Sequence, residues 1–69
     1  MMKLSARNQL KGRVVTVNKG ATTAHVCIDI GGGAVITASI TNEAVDELGL
    51  RPGDEAWAVI KASDVMVGK

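Results

Sequence analysis

Two alternating segments on either side of three glycines constrain the fold more than any other feature of this sequence. In residues 22–30 apolar side chains such as Val26 alternate with polar ones such as His25, and residues 34–40 resume the same period after the glycines at 31–33. A two-residue period is typical of a strand with one buried face, and glycines permit the turn that joins two such strands. The sequence therefore predicts an antiparallel hairpin.

A further strand is predicted before this hairpin. Residues 13–17, RVVTV, are mostly β-branched and apolar, which favours a strand. The next three residues, Asn-Lys-Gly, suit a tight turn because Asn and Gly tolerate left-handed backbone conformations. Two hairpins in succession predict an antiparallel meander.

After the meander the period changes to that of a short helix. Thr41 or Asn42 can cap its first turn, and Gly49 can end it. Residues 56–63, AWAVIKAS, alternate again and predict a strand, with a fifth strand after a break near Asp64. Five strands with one short helix between the third and the fourth are typical of a small Greek-key barrel of the OB type. The predicted fold class is therefore mostly β.

The size of the chain favours self-association. With 69 residues the sequence allows one domain, which can bury only a small core. A single cysteine, Cys27, cannot form an intrachain disulfide, and one Cys with one His is too few ligands for a structural zinc site. The chain is 46% hydrophobic but has one Trp and no Phe or Tyr. We therefore expect an oligomer and no bare metal cation.

The charge and the scarcity of aromatic residues argue against several classes of protein. The formal net charge is +1, and Trp57 is the one aromatic residue. Nucleic-acid binding depends on neutralising phosphates with clustered cations, and single-strand binders also stack bases on several aromatic rings. No apolar run has the length of a membrane span or the form of a signal peptide. We expect a cytoplasmic protein whose partners include neither nucleic acid nor a membrane.

Two polar clusters flank the predicted strands and could together bind an anion. Ser5, Arg7 and Asn8 precede the first strand, and Lys61 and Ser63 end the strand that contains the tryptophan. Each cluster pairs a cation with a hydroxyl, the donor set that a tetrahedral oxyanion requires. If the clusters meet, within one chain or across a subunit boundary, they form an oxyanion pocket. The alternative is a solvated tail and a lysine that simply extends from a strand into solvent.

A weaker candidate for anion binding is the turn between the first two strands. Successive N–H groups around a glycine turn can form an anion-binding nest, to which this turn would add a lysine and a hydroxyl; its candidate residues are Asn18, Lys19, Gly20 and Thr22. The alternative is a plain connection between strands. Elsewhere His25 and Cys27 have no oriented partner, and the carboxylates lie along the helix or after a turn. We therefore expect a binding protein that is not an enzyme.

Two segments of the chain resemble a known family. SARNQLKGRVVTV, which begins at Ser5, and AVIKASDVMVG, which ends at Gly68, look like the Mop domain of molbindins. Molbindins are small molybdate-binding proteins, and their domain also occurs in molybdate-responsive regulators and importer ATPases. The resemblance implies that residues 1–69 form a single Mop domain. It also implies cytoplasmic molybdenum storage and homeostasis.

The resemblance further implies a ligand, its sites and an assembly. The ligand would be molybdate or tungstate, with no cofactor. The first oxyanion site would comprise Ser5, Ala6, Arg7, Lys61, Ala62 and Ser63. A second kind of site, nearer a threefold axis, would be lined by Asn18, Lys19, Gly20 and Thr22. Members of the family form homohexamers, as trimers of dimers, with anions at subunit interfaces, so a neighbouring chain's terminal strand would complete the first site.

Two alternatives remain open at the level of sequence. The segment EAVDELGLRPGDEAW, residues 43–57, also resembles part of the AbrB-type swapped-hairpin transcription factors, which would make the protein a DNA-binding dimer. Near-neutral charge and the absence of a clustered basic arm argue against this alternative. The other is an OB-type interaction module without a small ligand.

Overall fold

The computed structural model describes residues 3–69 and has one antiparallel sheet and one short α-helix. Residues 1 and 2 of the predicted domain lie outside the described residues. The elements in chain order are β1 (Asn8–Lys19), β2 (Thr23–Gly31), β3 (Ala34–Thr41), α1 (Asn42–Leu48), β4 (Glu55–Ile60) and a 3-10 helix (Ala62–Asp64). The strand order is β3-β2-β1-β4, so β4 returns beside β1 as the fourth strand of a Greek key.

Strand β1 curls the sheet because its two halves pair with different strands. Its first half, from Asn8 to Arg13, pairs with β4, and its second half, from Arg13 to Lys19, pairs with β2. Between Val14 and Thr16 the register with β2 shifts by one residue, which makes Val15 a β-bulge. A bulge bends a strand and increases its twist. This strand therefore belongs to both halves of the sheet.

The bulge also explains how β1 faces the core along its whole length. Strict alternation would place Val14 and Val17 on opposite faces of the strand. The extra residue restores both to the core side: Val14 is buried, Val17 packs against the buried cluster, and Val15 is 48% exposed. The predicted strand at residues 13–17 is present, but it begins five residues earlier, at Asn8.

The core is small and consists of aliphatic side chains. The alternation predicted for β2 is confirmed, since its apolar positions are buried or half-buried and its polar ones are mostly exposed. One helix residue and one β4 residue complete the cluster. Its buried members are Val14, Ala24, Val26, Ile28, Val45 and Ala58. At about 0.8 kcal/mol per buried CH₂, these small side chains provide limited stabilisation.

Gly12 is required where β1 changes partners. A Cβ atom at this position would clash with the carbonyl oxygen of Asp29 and lie 2.7 Å from Cγ2 of Ile28. The first contact is to backbone, which cannot move aside as a flexible side chain would. Only glycine therefore lets β1 pass this close to β2.

The predicted caps of α1 are confirmed. Thr41 is the N-cap, with Oγ1 accepting a hydrogen bond of 3.0 Å from the Ala44 N–H, and Gly49 ends the helix with φ of 63°. Val45 is buried, and Leu48, the last residue of the helix, is 69% exposed.

The end of the chain differs from the prediction. The strand predicted for residues 56–63 ends at Ile60, and residues 62–64 form the 3-10 helix, in which Asp64 N–H donates to the Lys61 carbonyl over 2.9 Å. Among the described residues no fifth strand forms at 65–67, where Met66 and Val67 are more than 90% exposed. The pairing of β4 with β1 stops where β1 begins, so the chain has no partner with which to continue as a strand. Within residues 3–69, no helix has the length and apolarity that crossing a membrane would require.

Candidate functional site

The register of β1 and β4 brings the two predicted anion-binding clusters to the same end of the sheet. Asn8 pairs with Ile60, and this is the last pair of that ladder. Paired strands lie about 5 Å apart, so Arg7 and Lys61, each one residue beyond this pair, leave the sheet side by side. One chain therefore places the two clusters next to each other.

The candidate site presents two cations and two hydroxyls to solvent. Ser5, Arg7, Lys61 and Ser63 are all exposed. Ala6 is half-buried and Ala62 exposed, so these two offer mainly backbone groups. Lysine or arginine beside hydroxyls and backbone N–H groups suits a tetrahedral oxyanion.

The cations of this cluster are not neutralised by carboxylates within the described residues. The ion pairs formed in residues 3–69 join Lys11 to Glu55 at 3.3 Å and Lys19 to Asp46. Both involve lysines elsewhere on the molecule. Arg7 and Lys61 take part in neither pair, so both side chains are available to a ligand.

Two side-chain amides stabilise the backbone at this end of the sheet. Asn8 Nδ2 donates to the Ile60 carbonyl, and Gln9 Nε2 donates to the Ala6 carbonyl, each over 3.3 Å. Gln9 was not predicted to have any role in the site. Its contact is local, yet nothing in the residue pattern shows which carbonyl this half-buried glutamine will reach.

The second candidate site is bonded to the helix. Lys19 Nζ forms its ion pair with Asp46 of α1, and the Gly20 N–H donates to the Thr23 carbonyl over 2.6 Å. Asn42 Nδ2 donates to the Gly20 carbonyl over 2.9 Å, and the Asn42 N–H donates to Thr22 over 2.9 Å. In the single chain these contacts give the turn a structural role, since its charge and one of its N–H groups are already paired.

The outer face of β2 carries no catalytic arrangement in the described residues. His25 is exposed and Cys27 half-buried. Hydrogen bonds with the side chains of Thr16 and Thr37 lower the pKa of the Cys27 thiol, the Sγ of which lies 3.8 Å from Thr37 Oγ1. Within residues 3–69 no three His, Cys, Asp or Glu side chains come together as a metal site.

An apolar groove lies between the two edge strands and was not predicted. It has a volume of about 720 Å³ and is bordered by β3, β4 and the segment that follows α1. Inner-face residues form most of its lining, among them Ile36, Ile40, Leu50 and Ile60.

Comparisons with known proteins identify the family. The family model for the TOBE domain matches residues 4–67. A protein of Haemophilus influenzae described as a probable molybdenum-pterin-binding protein is 57% identical over 67 residues, covering 97% of both chains. MopII from Clostridium pasteurianum is 49% identical, with a TM-score of 0.90 over 97% of this chain and 100% of that one.

A third relative was solved with ligand. The cytoplasmic molybdate-binding protein ModG, with molybdate bound, is 54% identical, with a TM-score of 0.90 over 94% of this chain and 46% of that one. The family match also includes residues 43–57, which had suggested an AbrB-type factor, so this segment is part of the same domain. The chain belongs to the TOBE-domain family and is a Mop-domain protein of the molbindin type.

Proposed function

We propose that this protein binds molybdate between the segments that precede β1 and follow β4. The observation that carries the proposal is the pairing of Asn8 with Ile60, which sets Arg7 beside Lys61. Two unpaired cations at one place attract a dianion more strongly than either does alone. The names of similar proteins, which describe molybdenum-pterin or molybdate binding, support the same ligand.

The residues of the site have separate roles in this proposal. Arg7 and Lys61 supply charge and charge-assisted hydrogen bonds, and Ser5 and Ser63 donate from their hydroxyls. Ala6 and Ala62 contribute backbone groups and leave room for the anion, because their side chains are small. No step of chemistry is needed, and the role proposed is binding without catalysis.

The donor set accounts for selectivity by size. Molybdate and tungstate are dianions of nearly equal size, so the site should bind both. Sulfate has the same charge but is a smaller tetrahedron, and a rigid set of donors would leave some of its hydrogen bonds unmade. Each unmade bond costs roughly 1–3 kcal/mol, enough to select molybdate over sulfate.

The apolar groove supports self-association as part of the proposed function. Its borders β3 and β4 are edge strands, and the apolar residues 65–67 extend into solvent from the same chain. A second copy of the chain can pair with these edges and cover the groove, completing a fifth strand. In the proposed homohexamer, a trimer of dimers, the anions lie at subunit interfaces and neighbouring chains complete each site.

The proposed role is cytoplasmic storage and homeostasis of molybdenum. The ModG relative is described as cytoplasmic and molybdate-binding, which supports this role. The second site, at Asn18, Lys19, Gly20 and Thr22, has weaker support because Lys19 is ion-paired in the single chain. Anion binding at this second site would require the Lys19–Asp46 ion pair to open, or another chain to supply the positive charge in its place.

Isothermal titration calorimetry with molybdate tests the proposal, with sulfate as the control anion. We expect uptake of molybdate that Arg7→Ala and Lys61→Ala each reduce by about tenfold or more, since each removes a charge-assisted contact. Lys11→Ala is the matched control, because it removes a lysine that pairs with Glu55 instead. Absence of heat with molybdate, in a folded and assembled sample, would contradict the proposal, as would displacement by sulfate at comparable concentration.

A further inference from the structure

Main-chain acceptors around the proposed anion site are already engaged in hydrogen bonds within the chain. Two carbonyls accept from the side-chain amides of Asn8 and Gln9, and two accept from N–H groups of the 3-10 turn, over 2.9 to 3.3 Å. Each of these oxygens therefore points at a donor of its own chain. The four carbonyls are those of Ala6, Ile60, Lys61 and Ala62.

Carboxylates are also scarce at this end of the sheet. The ion pairs of residues 3–69 engage Asp46, on α1, and Glu55, at the opposite end of β4. Asp64 is the carboxylate nearest to the site in sequence, and in the described part of the chain it pairs with neither cation of the site. The site therefore offers a guanidinium, an ammonium and two hydroxyls as donors, with few free acceptors beside them.

This balance of donors and acceptors favours oxyanions that carry no proton. Molybdate is fully deprotonated at neutral pH, so it only accepts hydrogen bonds. Phosphate and arsenate keep at least one proton under the same conditions, and that O–H group needs an acceptor. Where the carbonyls are engaged, the proton either loses its hydrogen bond or takes the oxygen of a serine that would otherwise donate. Either outcome weakens the binding of a protonated anion.

Selection by size does not give the same result. Sulfate and phosphate are both smaller than molybdate, so a rigid set of donors disfavours both for one reason. Arsenate is larger than phosphate and closer in size to molybdate. Selenate is similar to arsenate in size but carries no proton at neutral pH. Size therefore treats selenate and arsenate alike, whereas a shortage of acceptors separates them.

We propose that the site selects fully deprotonated tetrahedral dianions and rejects protonated ones such as hydrogen phosphate and hydrogen arsenate. The inference rests on the proposed function, because it assumes that the anion lies at these two segments. It adds a second criterion to size, which is the absence of a proton on the anion. Inorganic phosphate is then disfavoured twice, by its size and by its proton.

A comparison of selenate with arsenate at mildly alkaline pH tests the inference. Both are dianions under these conditions, and arsenate alone carries a proton. Titrations followed by the amide resonances of Arg7 and Lys61 measure weak as well as tight binding. We expect selenate to bind about tenfold more tightly than arsenate, the effect of one unmade hydrogen bond at a charged group. Sulfate and phosphate form a second pair of similar size, for which we expect the same order.

Asp64→Ala tests the carboxylate that lies nearest in sequence. It removes the side-chain acceptor and keeps the N–H that donates to the Lys61 carbonyl, so the ratio of the two affinities should not change. A larger ratio in this variant would show that Asp64 accepts the arsenate proton, and the inference would be wrong. If wild-type protein binds molybdate but binds selenate no better than arsenate, the inference is wrong while the proposed function stands. If it binds no molybdate, both are wrong.

Discussion

At each end of the sheet a lysine lies beside an asparagine whose side-chain amide donates to a main-chain carbonyl. Asn8 holds the carbonyl of Ile60 at the end where β4 finishes, and Asn42 holds the carbonyl of Gly20 at the end where β1 finishes. Both amides join segments that are distant in sequence. The backbone is therefore stabilised in the same way at the two ends.

The lysines at the two ends have different surroundings. Lys19 forms an ion pair with Asp46 of the helix, whereas Lys61 forms none within the part of the chain that the structure describes, and Arg7 lies beside it. A lysine that pairs with a carboxylate on the neighbouring element has a structural role. A lysine that lies beside a second cation remains available to bind an anion. The position of one carboxylate thus distinguishes a structural turn from the proposed binding site.

Placing a carboxylate at the end that carries the proposed site should have the largest effect. Ala62→Asp puts a negative charge between Lys61 and Ser63, copying the arrangement at the other end. We expect molybdate affinity to fall by about a hundredfold, or roughly 3 kcal/mol, from repulsion of the dianion and pairing with the lysine. Calorimetry measures the effect. Ala62→Asn, similar in size and uncharged, is the control, and an equal loss in that variant would show that the effect is steric.

Removing each lysine in turn compares the two ends directly. Lys61→Met should lower molybdate affinity about tenfold, because a charge-assisted contact is lost. Lys19→Met should change the affinity of the tightest sites by less than about twofold, since its exposed ion pair is worth little. The titration also gives the stoichiometry. A fall in the number of bound anions in Lys19→Met would show that the turn at residues 18–22 binds them as well.

Weakening the helix cap should change stability without changing affinity. Thr41→Val removes the hydroxyl that accepts from the Ala44 N–H and should lower the free energy of unfolding by about 1 kcal/mol. Urea denaturation at a fixed protein concentration measures this, with Thr41→Ser as the variant that keeps the cap. A loss of molybdate affinity at unchanged stability would mean that the two ends are coupled.

Neutralising Asp46, at the end of the sheet where Lys19 is ion-paired, should have the smallest effect. Asp46→Asn frees Lys19 while keeping the size of the side chain. Because the ion pair is exposed, we expect the free energy of unfolding to fall by no more than about 1 kcal/mol. We also expect a weak additional uptake of molybdate at the turn, visible at high anion concentration. If none appears, the hydrogen bonds of Gly20 and Asn42, and not the ion pair, keep anions out.

Elements set by local sequence were predicted well. The alternation in β2 and β3, the turn at the three glycines and the caps Thr41 and Gly49 all depend on residues close together in the chain. All three glycines of that turn have positive φ, between 63° and 92°, as a tight turn of this kind requires. Local periodicity and glycine placement were enough in these regions.

Features set by pairing between distant segments were not predicted. The early start of β1 at Asn8 depends on β4, and the bulge at Val15 depends on how β1 changes from one partner to the other. The alternation of residues 56–63 continues past Ile60, but a strand needs a partner as well as a period. The candidate residues were predicted from residue chemistry and a family resemblance. Only the register of β1 with β4 shows that one chain sets them side by side.

The pair Asn8 and Ile60 also has a consequence for the order in which the molecule folds. These residues are 52 positions apart, so bringing them together closes a loop at an entropic cost of about 3–4 kcal/mol, whereas the β2–β3 hairpin closes over a few residues. Nucleation thus favours the hairpin, and the end that carries Arg7 and Lys61 forms late and opens early. If the proposed site is correct, an anion bound there stabilises this late-forming contact, and by mass action a higher anion concentration stabilises it further.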